Sequence, residues 1–194
     1  MPRLKLRLDT GERAADSTEG PRAAVAAVLR DAPKGTEVLL IRRQEREGDP
    51  WSGHMGFPGG RRDATDVSLL DTAVRETREE VGIDLRGSAA LLGRLDDVPA
   101  VARGERTGMV ISAFVFELIG TPELVLSPDE VAEVIWAPIP ELLSGARDAT
   151  YTYVRKNESY PLPAFDVDGR IVWGLTYHML SLILGHVRTD ESHG

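Results

Sequence analysis

Three glutamates, Glu76, Glu79 and Glu80, crowd one short stretch, Arg75-Glu76-Thr77-Arg78-Glu79-Glu80-Val81-Gly82. On an α-helix, spacings of three and four place side chains on one flank, so the carboxylates would share an edge. Like charges so placed weaken a helix by about 0.2–0.5 kcal/mol per pair. A hard divalent ion reverses that sign, and Mg2+ or Mn2+ suits an all-oxygen site that keeps water and takes phosphate. Taken alone, such a flank is more often a solvated acidic face balanced by its neighbours, here Arg75 and Arg78. Gly59 and Gly60, just upstream, tip the balance, because glycine lets backbone groups approach an ion or phosphate where a side chain would obstruct.

The carboxylates need a helix to position them, and the spacing predicts one over Val67–Val81. Val67, Leu70, Val74, Thr77 and Val81 recur at intervals of three and four, Thr65 or Asp66 is placed to cap the start, and Gly82 to end it. Upstream, Ala24–Leu29 and Val38–Ile41 read as a hairpin around Asp31, Pro33, Lys34 and Gly35. Gln44–Gly56 reads as a surface loop running into Phe57-Pro58-Gly59-Gly60. Downstream, Leu91–Leu95, Val110–Leu118, Val134–Ala137, Tyr151–Val154 and Ile171–Trp173 read as strands, Ile139–Leu143 as a short helix and Thr176–Val187 as a long one. Strands outnumber helices, and the two strong helices are separated by several strands. The expected class is therefore α/β of the α+β type, a mixed sheet sandwiched between helices.

With 194 residues, 42% hydrophobic and 28% charged, the chain suits one globular domain. Residues 1–20 are polar and read as a mobile or weakly docked arm, or a strand exchanged between copies. The domain is expected over 21–188, with a tail at 189–194. Residues 1–20 contain neither a secretory apolar run nor a membrane span. No cysteine occurs, so thiolate metal sites and disulfides are excluded, and the cytoplasm is the expected compartment. A net charge of −8 argues against a general nucleic-acid surface, although a local basic pocket for a phosphorylated metabolite remains compatible. A homodimer is the expectation from symmetry statistics alone.

Arg75-Glu76-Thr77-Arg78-Glu79-Glu80-Val81-Gly82-Ile83 matches R-E-x-x-E-E-x-G-hydrophobic, and Gly60–Ile83 as a whole resembles the Nudix box. The first half differs from the common pattern: the interval from Gly60 to Arg75 is one residue longer, and aspartates, Asp63 and Asp66, replace the usual early glutamate. Phe57-Pro58-Gly59-Gly60 with Asp63, Asp66 and Ser68, and the later Trp173-Gly174-Leu175-Thr176, are similar to the coenzyme A pyrophosphatase branch. The upstream basic-Ser-x-x-basic signature of that branch is replaced here by Arg42-Arg43-Gln44-Glu45-Arg46 and Trp51-Ser52-Gly53-His54.

The resemblance implies a Nudix fold and Mg2+- or Mn2+-dependent hydrolysis of a pyrophosphate bond in a small nucleotide-type substrate. Coenzyme A or an acyl form, yielding 3′,5′-ADP and (acyl-)4′-phosphopantetheine, leads. ADP-ribose, dinucleoside polyphosphates and nucleotide sugars are the alternative substrates, and a noncatalytic nucleotide sensor or an RNA-processing enzyme the alternative classes. It further implies that Glu76, Glu79, Glu80 and the Gly60 carbonyl hold the metal and that Arg75 orients a glutamate. Glu79 or a downstream acid would take the proton from the attacking water. Glu130 is preferred over Glu133 as that acid, against a reading of both as helix-start charges. For substrate phosphate, Arg42, Arg43, Arg61 and Arg62 are the cations nearest the glycine loop, with the planar donor fork that phosphate favours. His54 is a candidate phosphate or proton-transfer partner, weighed against a structural hydrogen bond. Tyr151, Tyr153 and Tyr160 are candidates to stack on a base, weighed against ordinary aromatic packing within a strand.

Overall fold

The computed structural model describes residues 20–102 and 104–191, with backbone alone for 188–191. In chain order the elements are β1 (Arg22–Ala32), β2 (Gly35–Arg43), β3 (Met55–Gly56), β4 (Gly59–Arg61), α1 (Leu69–Val81), α2 (Leu85–Ser88), β5 (Ala89–Arg94), β6 (Val98–Ala102) and β7 (Glu105–Leu118). There follow β8 (Val131–Pro138), α3 (Ile139–Leu143), β9 (Asp148–Arg155), β10 (Glu158–Val167), β11 (Arg170–Trp173) and α4 (Gly174–Glu191). The expected arm at 1–20 lies, Gly20 apart, outside the described residues. Of the expected tail at 189–194, residues 189–191 prolong α4 and 192–194 lie outside the described residues.

The main sheet is mixed. β1 runs parallel to β7 and antiparallel to β2 and β4. β2 also pairs antiparallel with β3 and β8, and β7 with β5 and β6. A separate antiparallel sheet has the order β11-β10-β9. β1 is covered on both faces, which is why Ala23-Ala24-Val25-Ala26-Ala27-Val28-Leu29 is a continuous apolar run without polar alternation. Ala24, Ala26 and Val28, with Leu39 and Ile41 of β2, meet Leu69, Ala73 and Val81 of α1. On the other face Ala27, Leu29, Val38 and Leu40 meet Leu180 and Ile183 of α4, Ile139 of α3 and Phe165 and Val172 of the small sheet. Each large apolar side chain so buried contributes about 1.5–3 kcal/mol. Among the described residues no helix is long and apolar enough to cross a membrane.

Several boundaries differ from expectation for physical reasons. α1 begins at Leu69, because Ser68, rather than Thr65 or Asp66, is its cap: the Ser68 hydroxyl accepts from the Asp71 N–H while the Asp71 carboxylate accepts from the Ser68 N–H. Val67 therefore precedes the helix and is 86% exposed. The packing face shifts to Leu69, Ala73, Thr77 and Val81, with Leu70 and Val74 only half-buried. Gly82 ends the helix in the left-handed conformation at φ 76°. The stretch expected as a loop, Gln44–Gly56, ends in the short strand β3, β4 follows just beyond it, and β6 and β10 went unanticipated because Pro99, Pro161 and Pro163 interrupt them. Pro99 lies on β6, which pairs with β7 alone, and Pro161 and Pro163 lie where β10 pairs only with β9, so no ladder bond is lost. Ser127–Glu130 is a turn entering β8, not the start of a helix.

Candidate functional site

β4 sets the geometry. The Ala26 N–H donates to the Pro58 carbonyl at 2.9 Å, drawing the Phe57–Gly60 stretch onto β1. At Gly59, with φ +153°, an added Cβ would meet the Ala24 carbonyl oxygen at 2.4 Å and the Val25 Cα at 2.6 Å, so only glycine fits between the strands. At Gly60 an added Cβ would meet the Glu76 carboxylate at 2.5 Å. The Gly59 N–H donates to Glu80 Oε2 at 2.8 Å. Glu76 and Glu80, one helical turn apart, thus both lie against the glycine pair.

Both are placed where a carboxylate resists ionising. Glu80 is 3% exposed, and burial pushes its carboxyl up to about 8; the Gly59 N–H and Arg43 oppose the shift, while Glu76 and Glu130 add to it. Burial likewise raises Glu76, reinforced by Glu79 and Glu130 and opposed by Arg75. Glu79 differs: its side chain is 53% exposed and turns to Arg75, toward a hollow of about 660 Å³ on the outer flank of α1 lined also by Arg78, Asp84 and Arg86. The three acids therefore do not share one edge equally, and among the described residues no three acidic or histidine side chains converge into a ready-made cage. What fits a divalent ion is the donor set: the buried Glu80 and the half-buried Glu76, mutually repelling carboxylates beside a glycine at which a side chain would collide with Glu76.

Arg75 organises this flank. It donates to Glu76 Oε1 and Glu79 Oε2, each at 2.8 Å, and to the Arg61 carbonyl at 3.2 Å. Its Nε and Nη2 grip Asp66 at 3.0 and 2.9 Å. Asp66 is buried and also accepts from the Asp63 N–H at 2.8 Å and the Thr72 hydroxyl at 2.9 Å. The Arg75 guanidinium holds the Asp66 carboxyl far below the usual carboxylate range. Asp66 therefore holds Arg75 in place, and the sequence signal for it was an acid upstream of Arg75.

The turn before β8 is tied to the end of α1. The Val125 and Ser127 N–H groups donate to the Val81 and Glu80 carbonyls at 3.0 and 2.9 Å. From the other side the Gln44 N–H donates to the Glu130 carbonyl at 2.8 Å, and Gln44 Nε2 to that of Pro128 at 2.8 Å. The Glu130 charge is accordingly felt at both Glu76 and Glu80. Glu133 is directed elsewhere. It pairs with Arg42 at 3.4 Å and with Arg170 of β11, and the two arginines hold its carboxyl below its ordinary value.

The remaining candidates separate. Arg43 pairs with Asp49 at 2.9 Å while its charge reaches Glu80. Arg62 spends its guanidinium on the Asp66 and Val67 carbonyls, bracing the loop before α1. Arg61 is exposed beside Gly60. His54 lies 4.9 Å from the Trp173 ring, and burial lowers its basicity. Tyr151 stacks on Trp173 at 4.1 Å and 19°, with Tyr153 at 5.8 Å. Tyr160 is exposed and donates to Glu158. Neither Trp173 nor Arg170 stood among the expected site residues. Trp173 opens the Trp-Gly-Leu-Thr stretch, whose Thr176 hydroxyl donates to the Met55 carbonyl at 2.9 Å, 121 residues away in sequence, and Arg170 had no local signal at all.

The NUDIX domain family model matches residues 20–156. A protein of Schizosaccharomyces pombe is 47% identical over 108 residues, covering 55% of this chain and 33% of its own, so the match spans about a third of that relative. The peroxisomal coenzyme A diphosphatase of Caenorhabditis elegans is 30% identical over 168 residues, covering 85% of this chain and 68% of its own. Among solved structures, a MutT/nudix family protein from Enterococcus faecalis superposes with a TM-score of 0.56 at 18% identity, over 88% of this chain and 63% of that one, a likeness of fold.

Proposed function

Because the chain belongs to the Nudix family, we propose that it hydrolyses a pyrophosphate bond in a nucleoside diphosphate linked to a second moiety, with coenzyme A or an acyl-coenzyme A as the preferred substrate. Nudix hydrolases generally act with divalent metal ions, here Mg2+ or Mn2+. The observation that carries the reaction is the pair of carboxylates, the buried Glu80 and the half-buried Glu76, set against Gly59 and Gly60. A bound divalent cation would supply neutralisation of the diphosphate and activation of water. The residues that would hold it are Glu76, Glu80 and the Gly60 carbonyl, with Glu79 joining from the exposed side.

The chain's own groups do the rest. Arg75, fixed by Asp66, keeps Glu76 and Glu79 aimed. Arg43 and Arg61 would meet phosphate oxygens, and His54, whose basicity burial lowers, would hydrogen-bond the substrate. Glu130 accepts a proton as the water oxygen joins phosphorus; the bond from phosphorus to the bridging oxygen breaks and the leaving phosphate retains that oxygen. Glu130 is preferred to Glu79 because its charge reaches both Glu76 and Glu80, while Glu79 is engaged by Arg75.

The choice of coenzyme A is supported by the nematode diphosphatase, which aligns over 85% of the chain. It is supported also by the docking of Thr176 onto Met55, two residues before Phe57, which brings the later of the two stretches resembling that branch beside the start of the earlier one. A mass-spectrometric substrate panel in 18O-labelled water with Mg2+ tests it: 3′,5′-ADP and 4′-phosphopantetheine are expected, with one product carrying the label. Turnover of coenzyme A no faster than that of ADP-ribose overturns the preference.

A further inference from the structure

We propose that Arg42 and Arg170, bridged by Glu133, form a second anion site that receives a phosphate monoester remote from the scissile diphosphate. This rests on the reading of the protein as a pyrophosphohydrolase of nucleotide-type substrates. Two guanidiniums converge on one carboxylate: Arg42 Nε lies 3.4 Å from Glu133 Oε2, and both Arg170 Nε and Nη2 address the same carboxylate. Glu133 sets one negative charge between the two arginines, and the Asp168 carboxylate, paired with Arg147, adds a second beside Arg170. Each side chain keeps between 28% and 38% of its surface in contact with solvent. An arginine pair tethered in this way has lost side-chain freedom before a ligand arrives; Arg170 has Nε and Nη2 on Glu133 and Nη1 on the Asp168 carbonyl, so a phosphate would meet its remaining Nη hydrogens and Arg42.

Placement ties the pair to the reacting centre. Arg42 directly precedes Arg43, whose charge reaches Glu80, and Glu133 follows Glu130 by three residues, at most about 11 Å of chain. The β2–β8 register shifts at this point, Arg42 lying opposite Glu133 and Arg43 opposite Val131. The additional residue on β8 turns the Glu130 end away from Glu133, so neighbouring acids serve two places. Arg170 comes from β11, beyond the stretch matched by the family model. The element that selects the substrate would thus be supplied by the small sheet, whereas the element that cleaves it comes from α1. A nucleotide bearing a 3′-phosphate on its ribose carries the monoester such a site would read.

The experiment compares kcat and KM for coenzyme A and 3′-dephospho-coenzyme A on the full chain and on Arg170→Ala and Arg170→Lys. KM for coenzyme A should rise about tenfold in Arg170→Ala with kcat unchanged, less in Arg170→Lys, and the dephospho substrate should be indifferent to both changes. Equal losses on the two substrates, or none, overturn the proposal. If the unaltered protein cleaves neither substrate, the choice of coenzyme A fails, and the anion site is judged separately by calorimetry. Tighter binding of 3′,5′-ADP than of 5′-AMP, lost in Arg170→Ala, upholds the site; equal binding of the two refutes it.

Discussion

Two arginine–carboxylate clusters, one at Asp66 and one at Glu133, are built differently. At Asp66 the carboxylate side chain is 4% exposed, gripped through two guanidinium nitrogens and saturated by a backbone N–H and a hydroxyl. At Glu133 the carboxylate is 28% exposed and shared by two arginines that are themselves 37–38% exposed. The first has no capacity left for a ligand and every reason to be rigid; the second is open to solvent. A saturated, buried cluster positions other groups, and an unsaturated, exposed one is available to bind.

That contrast is most sharply broken by removing one carboxylate charge from each cluster. Asp66→Asn should lower stability by about 1.5–3 kcal/mol, since a charged hydrogen-bond partner is lost from a buried site. Glu133→Gln should cost about 0–1 kcal/mol, as for exposed ion pairs. Urea unfolding of both variants measures the gap, and equal costs would erase the distinction.

Gly60→Ala probes the other side of Glu76. Its Cβ would press on the movable end of a side chain, so activity should fall on the order of tenfold while the thermal midpoint barely moves. A loss of stability matching the loss of activity would mean that the glycine serves folding instead.

A smaller effect, about 1 kcal/mol, is expected for Ser68→Ala, which deletes the α1 cap and leaves both carboxylate clusters in place. Thermal denaturation reads it directly.

The gentlest probe is pH. A folded-state Glu80 carboxyl at about 8, against an ordinary value of 4.5, means that the folded chain holds that proton more tightly than the unfolded one. The metal-free protein should therefore lose stability as pH rises from about 4.5 to about 8, and the slope should flatten in Glu80→Gln. Asp66, depressed rather than raised, works in the opposite sense: its contribution is present above the ordinary carboxylate range and is lost only in strong acid.

The α1 acids were legible because helical spacing, a glycine stop and an upstream glycine pair are all local signals, and the mixed sheet followed from the number and order of apolar runs. What escaped depended on partners far along the chain. Glu79 parts from Glu80 by the roughly 100° that separates consecutive helical residues, while the grip of Asp66 on Arg75 is a side-chain contact that periodicity cannot reveal. Strand β10 was hidden by Pro161 and Pro163, harmless only because β11 does not pair there. Arg170 and Glu133 are 37 residues apart, and nothing near either of them announces the other.

If Glu76 and Glu80 grip a divalent cation, the most direct measurement follows Mn2+ binding and substrate hydrolysis together in the unaltered protein and in Glu80→Gln. Binding and turnover should saturate over the same Mn2+ range. In Glu80→Gln turnover should fall at least about tenfold, equivalent to ~1.4 kcal/mol, with binding weakened and the circular dichroism spectrum unchanged. Undiminished hydrolysis in chelator, or near-normal turnover in Glu80→Gln, would contradict that grip.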